Sequence, residues 1–247
     1  MRATGGDQAA ILNDPAVIPP ALAEPAPARP ALSDRSGVTD AVRVQMLATE
    51  HWSLLATRGM SWNEAFSRAT MFITMLSADV VALALIAQAT AFGSAFRLFA
   101  LLTLPVVLLM GLATIIRLSD INQDDFGLVI GMNRLRHAYL ELAPELEPYF
   151  VTAHFDDEAS VMASYGVNAS LRLSRILAGT PTLVGAINIV VAGVLGALIA
   201  DTAGASGAID VVAGAVAALL AAGGLAALAY SSISVARRVY HPRFPRP

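Results

Sequence analysis

Cysteine and lysine are both missing from this chain of 247 residues. Without a thiol there is no disulfide, no thiolate nucleophile and no Cys-ligated zinc or iron–sulfur centre. The redox compartment stays open. All sixteen basic residues are arginine. With the abundance of alanine, that bias points to a high-GC bacterial genome rather than to a physical need. Charge of either sign is scarce. Only 14% of residues are charged, against about 25% in an ordinary soluble domain, and the shortfall falls within a few apolar stretches. A net charge of −3 offers no basic footprint, so nucleic acid is not expected as a partner. Catalytic motifs are missing as well. Gly127 and Gly131 are a spaced glycine pair with no following Lys or Ser, which makes no phosphate loop.

What is present is hydrophobic: 56% of the residues, gathered into four runs at 71–92, 98–116, 182–200 and 211–230. Each is long enough to cross about 30 Å of hydrocarbon at about 1.5 Å per residue. The expected fold is all-α, a four-helix membrane bundle made of two hairpins with a helical cytoplasmic segment between them.

The domains follow from composition. Residues 1–38 are rich in Ala and Pro, with Pro15, Pro19, Pro20, Pro25, Pro27 and Pro30, and are expected to be a disordered tail. They hold no continuous apolar stretch before a cleavage site, so the first run is expected to act as an uncleaved signal-anchor. Residues 39–70 form a helical pre-membrane segment. Val42, Val44, Leu47, Trp52, Leu54 and Leu55 give it one apolar side, Gly59 is expected to end the first helix, and Ser61 with Glu64 is expected to cap the next. The first transmembrane hairpin occupies 71–118, turning near Gly93, with Pro105 expected to bend its second helix. Residues 119–180 are the cytoplasmic helical segment, 181–232 the second hairpin, opened by Thr180 and Pro181, and 233–247 an Arg-rich tail.

Arginine sets the orientation. Arg43, Arg58 and Arg68 precede the first run, Arg117, Arg134, Arg136, Arg172 and Arg175 lie between the hairpins, and Arg237, Arg238, Arg243 and Arg246 follow the last. The short links hold only Arg97. Both termini and the central segment are therefore expected on the cytoplasmic side of a bacterial inner membrane.

Few residues carry candidate chemistry. Asp79 lies inside the first run, where an ionisable group costs several kcal/mol unless paired, hydrated or protonated. It reads either as a proton- or cation-responsive site or as a neutral carboxyl bonded within the bundle. Gln88 and Asn188 are further intramembrane polar groups, and Asn188 is expected to bond across helices to Gln88, Ser77 or Thr74. Ile121, Leu128, Met132, Leu135, Tyr139 and Leu142 fall at heptad-like spacings and make a candidate interaction seam. The glycines of the last two runs read as close helix packing, with a self-association face as the alternative. His137, Glu141, His154 and Asp156 fit no recognised metal spacing. No metal, cofactor or catalytic residue is assigned, and no enzyme activity is expected.

The stretch from Glu50, His51, Trp52 and Ser53 to Arg58, with Trp62, Asn63, Glu64, Phe66, Ser67 and Arg68 after it, resembles a family of uncharacterised integral membrane proteins from high-GC bacteria. So does the stretch Gly131, Met132, Asn133, Arg134, Leu135, Arg136, His137, Ala138 and Tyr139. The resemblance covers roughly residues 40–240; it implies the four-span layout and no activity. The expected partners are the lipid bilayer, further copies of the chain in a homo-oligomer, and a cytoplasmic protein. The expected function is a membrane scaffold or regulatory interaction protein, with an oligomeric channel or membrane-permeabilising effector as the alternative.

Overall fold

A computed structural model describes residues 37–166 and 179–247, and of residues 232–239 the backbone alone. The chain divides into Met1–Val38 and Thr39–Pro247. The Ala/Pro-rich tail lies almost wholly outside the described residues, as do Leu171, Arg172, Leu173, Arg175 and Ile176. The described regular structure is helical: α1 Asp40–Thr90, α2 Ser94–Leu142, a 3-10 turn Pro144–Tyr149, α3 Glu158–Ser164, α4 Thr180–Thr202 and α5 Gly207–Val239. The helices α1, α2, α4 and α5 are long and apolar enough to cross a membrane.

Helix α1 corrects the expected break at Gly59. It runs unbroken for 51 residues, about 75 Å at 1.5 Å per residue. A glycine inside a helix costs about 1 kcal/mol. Here that cost is met by contacts on both sides: Arg58 and Trp62 both bond to Asp125 of α2. Ser61 caps nothing, because its hydroxyl donates to the Thr57 carbonyl at 3.1 Å. The helix stops instead at Ala91 and Phe92, which take positive φ of 46° and 59°. The amide of Ala91 bonds back to the Ala87 carbonyl there. Helix α2 likewise passes through Pro105, Gly127 and Gly131.

Helices α1 and α2 are antiparallel and share one seam. On α1 the inward residues Ala65, Ala69, Phe72, Leu76 and Leu83 recur at steps of four, three, four and seven, and they share one core with Ala100, Leu104, Val107, Leu118 and Ile121 of α2. This is the spacing that keeps an apolar stripe on a partner helix. Helix α4 joins the same core through Val184, Ile187 and Val191. There Gly111 lets the Asn188 side chain press against the α2 backbone, where any Cβ would collide with it.

Helix α5 rides on α4 through small residues. A Cβ on Gly196 would lie 2.5 Å from the Cβ of Ala217, and one on Gly214 would lie 2.8 Å from the Gly193 carbonyl. Close backbone approach of this kind is how apolar helices associate without a hydrophobic force between them. Gly223 and Gly224 meet nothing within 4 Å.

The order of packing is therefore α1–α2–α4–α5, with at most marginal contact between α1 and α5. Among the described residues the apolar helices touch as an open row. The reason is local. Helix α2 is occupied by two different neighbours, and α5 spends its glycine face on α4. Nothing remains to draw α1 and α5 together. Val80, Val81 and Leu85 of α1 and Val212, Leu219 and Leu220 of α5 are left exposed.

The two glycine sets separate packing from propensity. Gly196→Ala is expected to lower unfolding stability in detergent by about 1–3 kcal/mol through overpacking. Gly223→Ala is expected to raise it by up to about 1 kcal/mol through helix propensity. Denaturant titrations followed by circular dichroism check both; equal effects would mean that α4 and α5 do not meet at these glycines.

Candidate functional site: a charged hub on a helical stalk

The ion pair of Glu64 with Arg117 marks where charge begins on both long helices. Beyond it, residues 40–63 of α1 and 118–142 of α2 continue past the apolar segments, by about 35–40 Å at 1.5 Å per residue. Glu64 is held by a bidentate grip. Arg117 Nε donates to one oxygen at 2.9 Å and Nη2 to the other at 2.8 Å, and Arg68 Nε adds a third bond at 2.8 Å. The bonds from Arg117 and then Arg68 pull the Glu64 carboxyl down to about 2.

Two turns further out lies the hub. Asp125 is 2% exposed, and a buried carboxylate must be paired and hydrogen-bonded to be tolerated. Four bonds reach it. Arg58 Nε donates at 2.7 Å and Arg58 Nη2 at 3.3 Å; the indole N–H of Trp62 donates at 3.2 Å; the Tyr165 hydroxyl donates at 2.6 Å. The Arg58 guanidinium also lies over the Tyr165 ring, 5.5 Å from its centroid. Burial, and then the bond to Asp125, push the Tyr165 hydroxyl well above the usual phenol range. The bond to Asp125 raises Arg58 further. One carboxylate thus ties α1, α2 and the chain after α3 together.

The next layer hangs on Asn133, which is fully buried. Its amide donates to the Phe155 carbonyl at 2.9 Å, and its oxygen accepts from Arg136 at 2.8 Å and Ser164 at 3.0 Å. Beside it, Val129, Ile130 and Val161 form a small core with Phe126, Tyr165 and Tyr240. Burial, and then the nearby Arg58, depress Arg136.

Asp156 closes the outer end. It accepts from Arg134 Nε at 2.7 Å and from the backbone amides of Arg243 and Phe244, each at 2.8 Å. Its own amide donates to the Phe244 carbonyl. Asp157 caps α3 through Ser160 and accepts from the Arg246 amide at 3.3 Å. The end of the chain is thus laid along the turn at 156–160. Burial raises Asp156 and Asp157, but these bonds more than offset it and hold both carboxyls below their usual range.

The candidate residues named from sequence fall in different places. Asp79 is half-buried on α1, between Leu76 and Leu83 of the core, with Oδ2 buried and without a hydrogen-bond partner. Gln88 is exposed on α1. Asn188 is 3% exposed and faces Gly111. It does not make the expected bond across helices: both its side-chain polar atoms lack a partner, while Thr74 and Ser77 donate to the Thr70 and Ile73 carbonyls of their own helix. Along the seam, Ile121 and Met132 are buried and Leu128, Leu135, Tyr139 and Leu142 are half-buried. This stretch faces the chain's own α1. Leu54 sits 3.0 Å from where a Gly131 Cβ would be, and the His51 ring stacks on Tyr139 with centroids 6.1 Å apart. His137 lies 3.7 Å from Glu141 and His154 4.0 Å from Glu147. Asp156 is bonded to Arg134 and to the backbone amides of Arg243 and Phe244.

Sequence reasoning missed the hub. Arg58 and Asp125 are far apart in the chain, and Trp62 reads as a membrane anchor. The one available signal was an arginine and a tryptophan four residues apart, on the helix face that carries Leu54 and Ala65.

Compared with known proteins, the chain matches no family model, no curated protein and no solved structure.

Asp125→Ala would leave the Arg58 cation buried against Tyr165 with no counter-charge. The expected loss is about 3–5 kcal/mol of stalk stability, read as a red shift of Trp62 fluorescence at lower denaturant. A second expectation concerns acid. Glu64, Asp156 and Asp157 are all depressed, so the stability they contribute is present above the ordinary carboxylate values of 4.5 and 3.8. It is lost as pH falls through their lower folded values. The loss of near-ultraviolet circular dichroism below about pH 4.5 should shrink in Glu64→Gln, whereas burial of His51 and His137, both lowered from 6.5, weakens the fold from that higher pH downward in either protein; an acid loss below about pH 4.5 that is identical in Glu64→Gln would contradict the Glu64 bonds.

Proposed function

We propose that this is a multi-pass protein of a bacterial cytoplasmic membrane that acts as a scaffold or regulatory interaction protein and not as an enzyme. Its apolar helices form two hairpins. The arginine distribution puts both termini and the segment between the hairpins on the cytoplasmic side. The stalk is the part that meets partners.

The observation carrying this reading is the outer face of the α1 stalk. Trp52 is 71% exposed and Met60 73%, with Leu55 and Phe66 also exposed. Gly59 between them has open space above its backbone. Ala48, Trp52, Leu55, Gly59 and Phe66 recur at steps of four, three, four and seven, so one stripe carries them, while Trp62 turns its indole N–H inward to Asp125. Large apolar side chains at this spacing, on a helix stiffened by the Asp125 hub and standing beyond the bilayer, are what a helix-in-groove partner reads. The inner face of the same stalk is used up against α2.

A channel built from several copies is the second reading. The open row favours it, because the outer flanks of α1 and α5 offer surfaces to neighbouring copies. The test is a photo-crosslinker at position 52 together with native mass spectrometry from lipid nanodiscs. The scaffold reading expects a discrete protein adduct, lost in Leu55→Glu with helicity unchanged, and no ion flux from liposomes. A closed ring of copies that conducts would replace it with the channel.

A further inference from the structure

The hydroxyls among the apolar helices mostly spend their hydrogen bonds locally. Thr74, Ser77 and Thr114 all donate to carbonyls of their own helix at 2.8 Å. Asn188 is packed onto Gly111. Asp79 is different in kind, because it can carry a charge. It falls on the spacing of the core-facing residues of α1, three residues after Leu76 and four before Leu83, and its Oδ2 is buried with no hydrogen-bond partner. Counting equal steps along the antiparallel pair, from Arg58–Asp125 and from Glu64–Arg117, brings Asp79 opposite the turn 102–104 of α2. At the centre of that turn is Thr103, whose hydroxyl oxygen is also buried and unpartnered.

No charge is at hand to balance a carboxylate there. Helix α2 has no charged residue between Arg97 and Arg117, α4 has none before Asp201, and α5 has none between Asp210 and Arg237. Arg97 is itself paired with Asp201 at the far end of the row, 3.1 Å away, and Arg117 and Arg68 are taken by Glu64. Asp79 lies eight residues beyond Met71, where the first apolar run begins, about 12 Å into a hydrocarbon layer of about 30 Å. A bare carboxylate at that depth costs several kcal/mol. A metal cation would not remedy this, since the site offers three side-chain oxygens, from two residues, where calcium takes about six to eight. A proton needs one.

We propose that Asp79 is an intramembrane proton-binding site, its carboxyl un-ionised in the α1/α2 seam beside Thr103. The ligand is the proton itself. Binding it keeps the seam neutral. Losing it places a charge between α1 and α2 and loosens the helix pair that continues outward as the stalk. The proposal rests on the reading of residues 71–92 as membrane-spanning and adds to it a ligand and a residue.

The test uses the full chain in liposomes at neutral pH, treated with dicyclohexylcarbodiimide, an apolar reagent for un-ionised carboxyls. The carboxyl O–H adds across one C=N bond, the hydrogen going to nitrogen. The acyl group then migrates from oxygen to the other nitrogen, giving a stable N-acylurea with nothing released. Mass spectrometry of the peptide containing Asp79 is expected to show one carbodiimide, absent in Asp79→Asn and restored in Asp79→Glu. Infrared difference spectra of wild type against Asp79→Asn are expected to show the C=O band of a carboxylic acid. Three results would overturn the proposal: a carboxylate band in place of the acid band, protection by sodium at constant pH, or equal labelling by a water-soluble carbodiimide with an amine. Absence of the adduct overturns it as well. A carbonate wash of the same membranes keeps the two readings apart. Loss of the protein from the membrane defeats the membrane reading, whereas retention without labelling defeats the Asp79 site alone.

Discussion

Much of this architecture depends on one buried carboxylate. Asp125 is surrounded by an arginine, a tryptophan and a tyrosine drawn from two long helices and from the chain after α3. Its charge is tolerable only because all those donors converge on it. Because they converge, α1 must lie against α2 well beyond the apolar segments, and it must do so across Gly59. The helix there continues where local propensity alone would let it stop. Glu64 with Arg117 and His51 with Tyr139 then fall into register on either side.

The apolar part follows a different rule. Without water there is no hydrophobic force between helices, so shape decides which of them meet. Helices α4 and α5 meet where glycine and alanine let the backbones close, and α2 receives Asn188 at Gly111. Each contact consumes one face. The outcome is a row with two apolar flanks, a form that needs lipid or further protein along both edges.

At the outer end, order comes from the backbone amides of the chain's last residues. Asp156 and Asp157 collect the amides of Arg243, Phe244 and Arg246, while Phe244 covers the His137 ring at 4.7 Å. The basic tail therefore has a structural use in addition to any role of its arginines at a membrane surface. Those amides carry no sequence signature, and nothing in the order of residues announces that the end of the chain returns to residue 156.

Several elements were legible from the residues alone. Hydropathy marked the four apolar helices, because twenty consecutive apolar residues have few other places to go. The seam at 121–142 showed as a heptad, and Asp79 stood out as a charge in an apolar run. Other features were decided only by tertiary contact. The continuity of α1 through Gly59, the pairing of Arg58 with Asp125, the unbonded state of Asn188 and the open row all depend on which faces meet. Periodicity says that a helix has an inward face; it does not say which helix that face will find. That choice is made by the fit of glycine gaps and by buried charges that must be paired, and both are properties of two surfaces together.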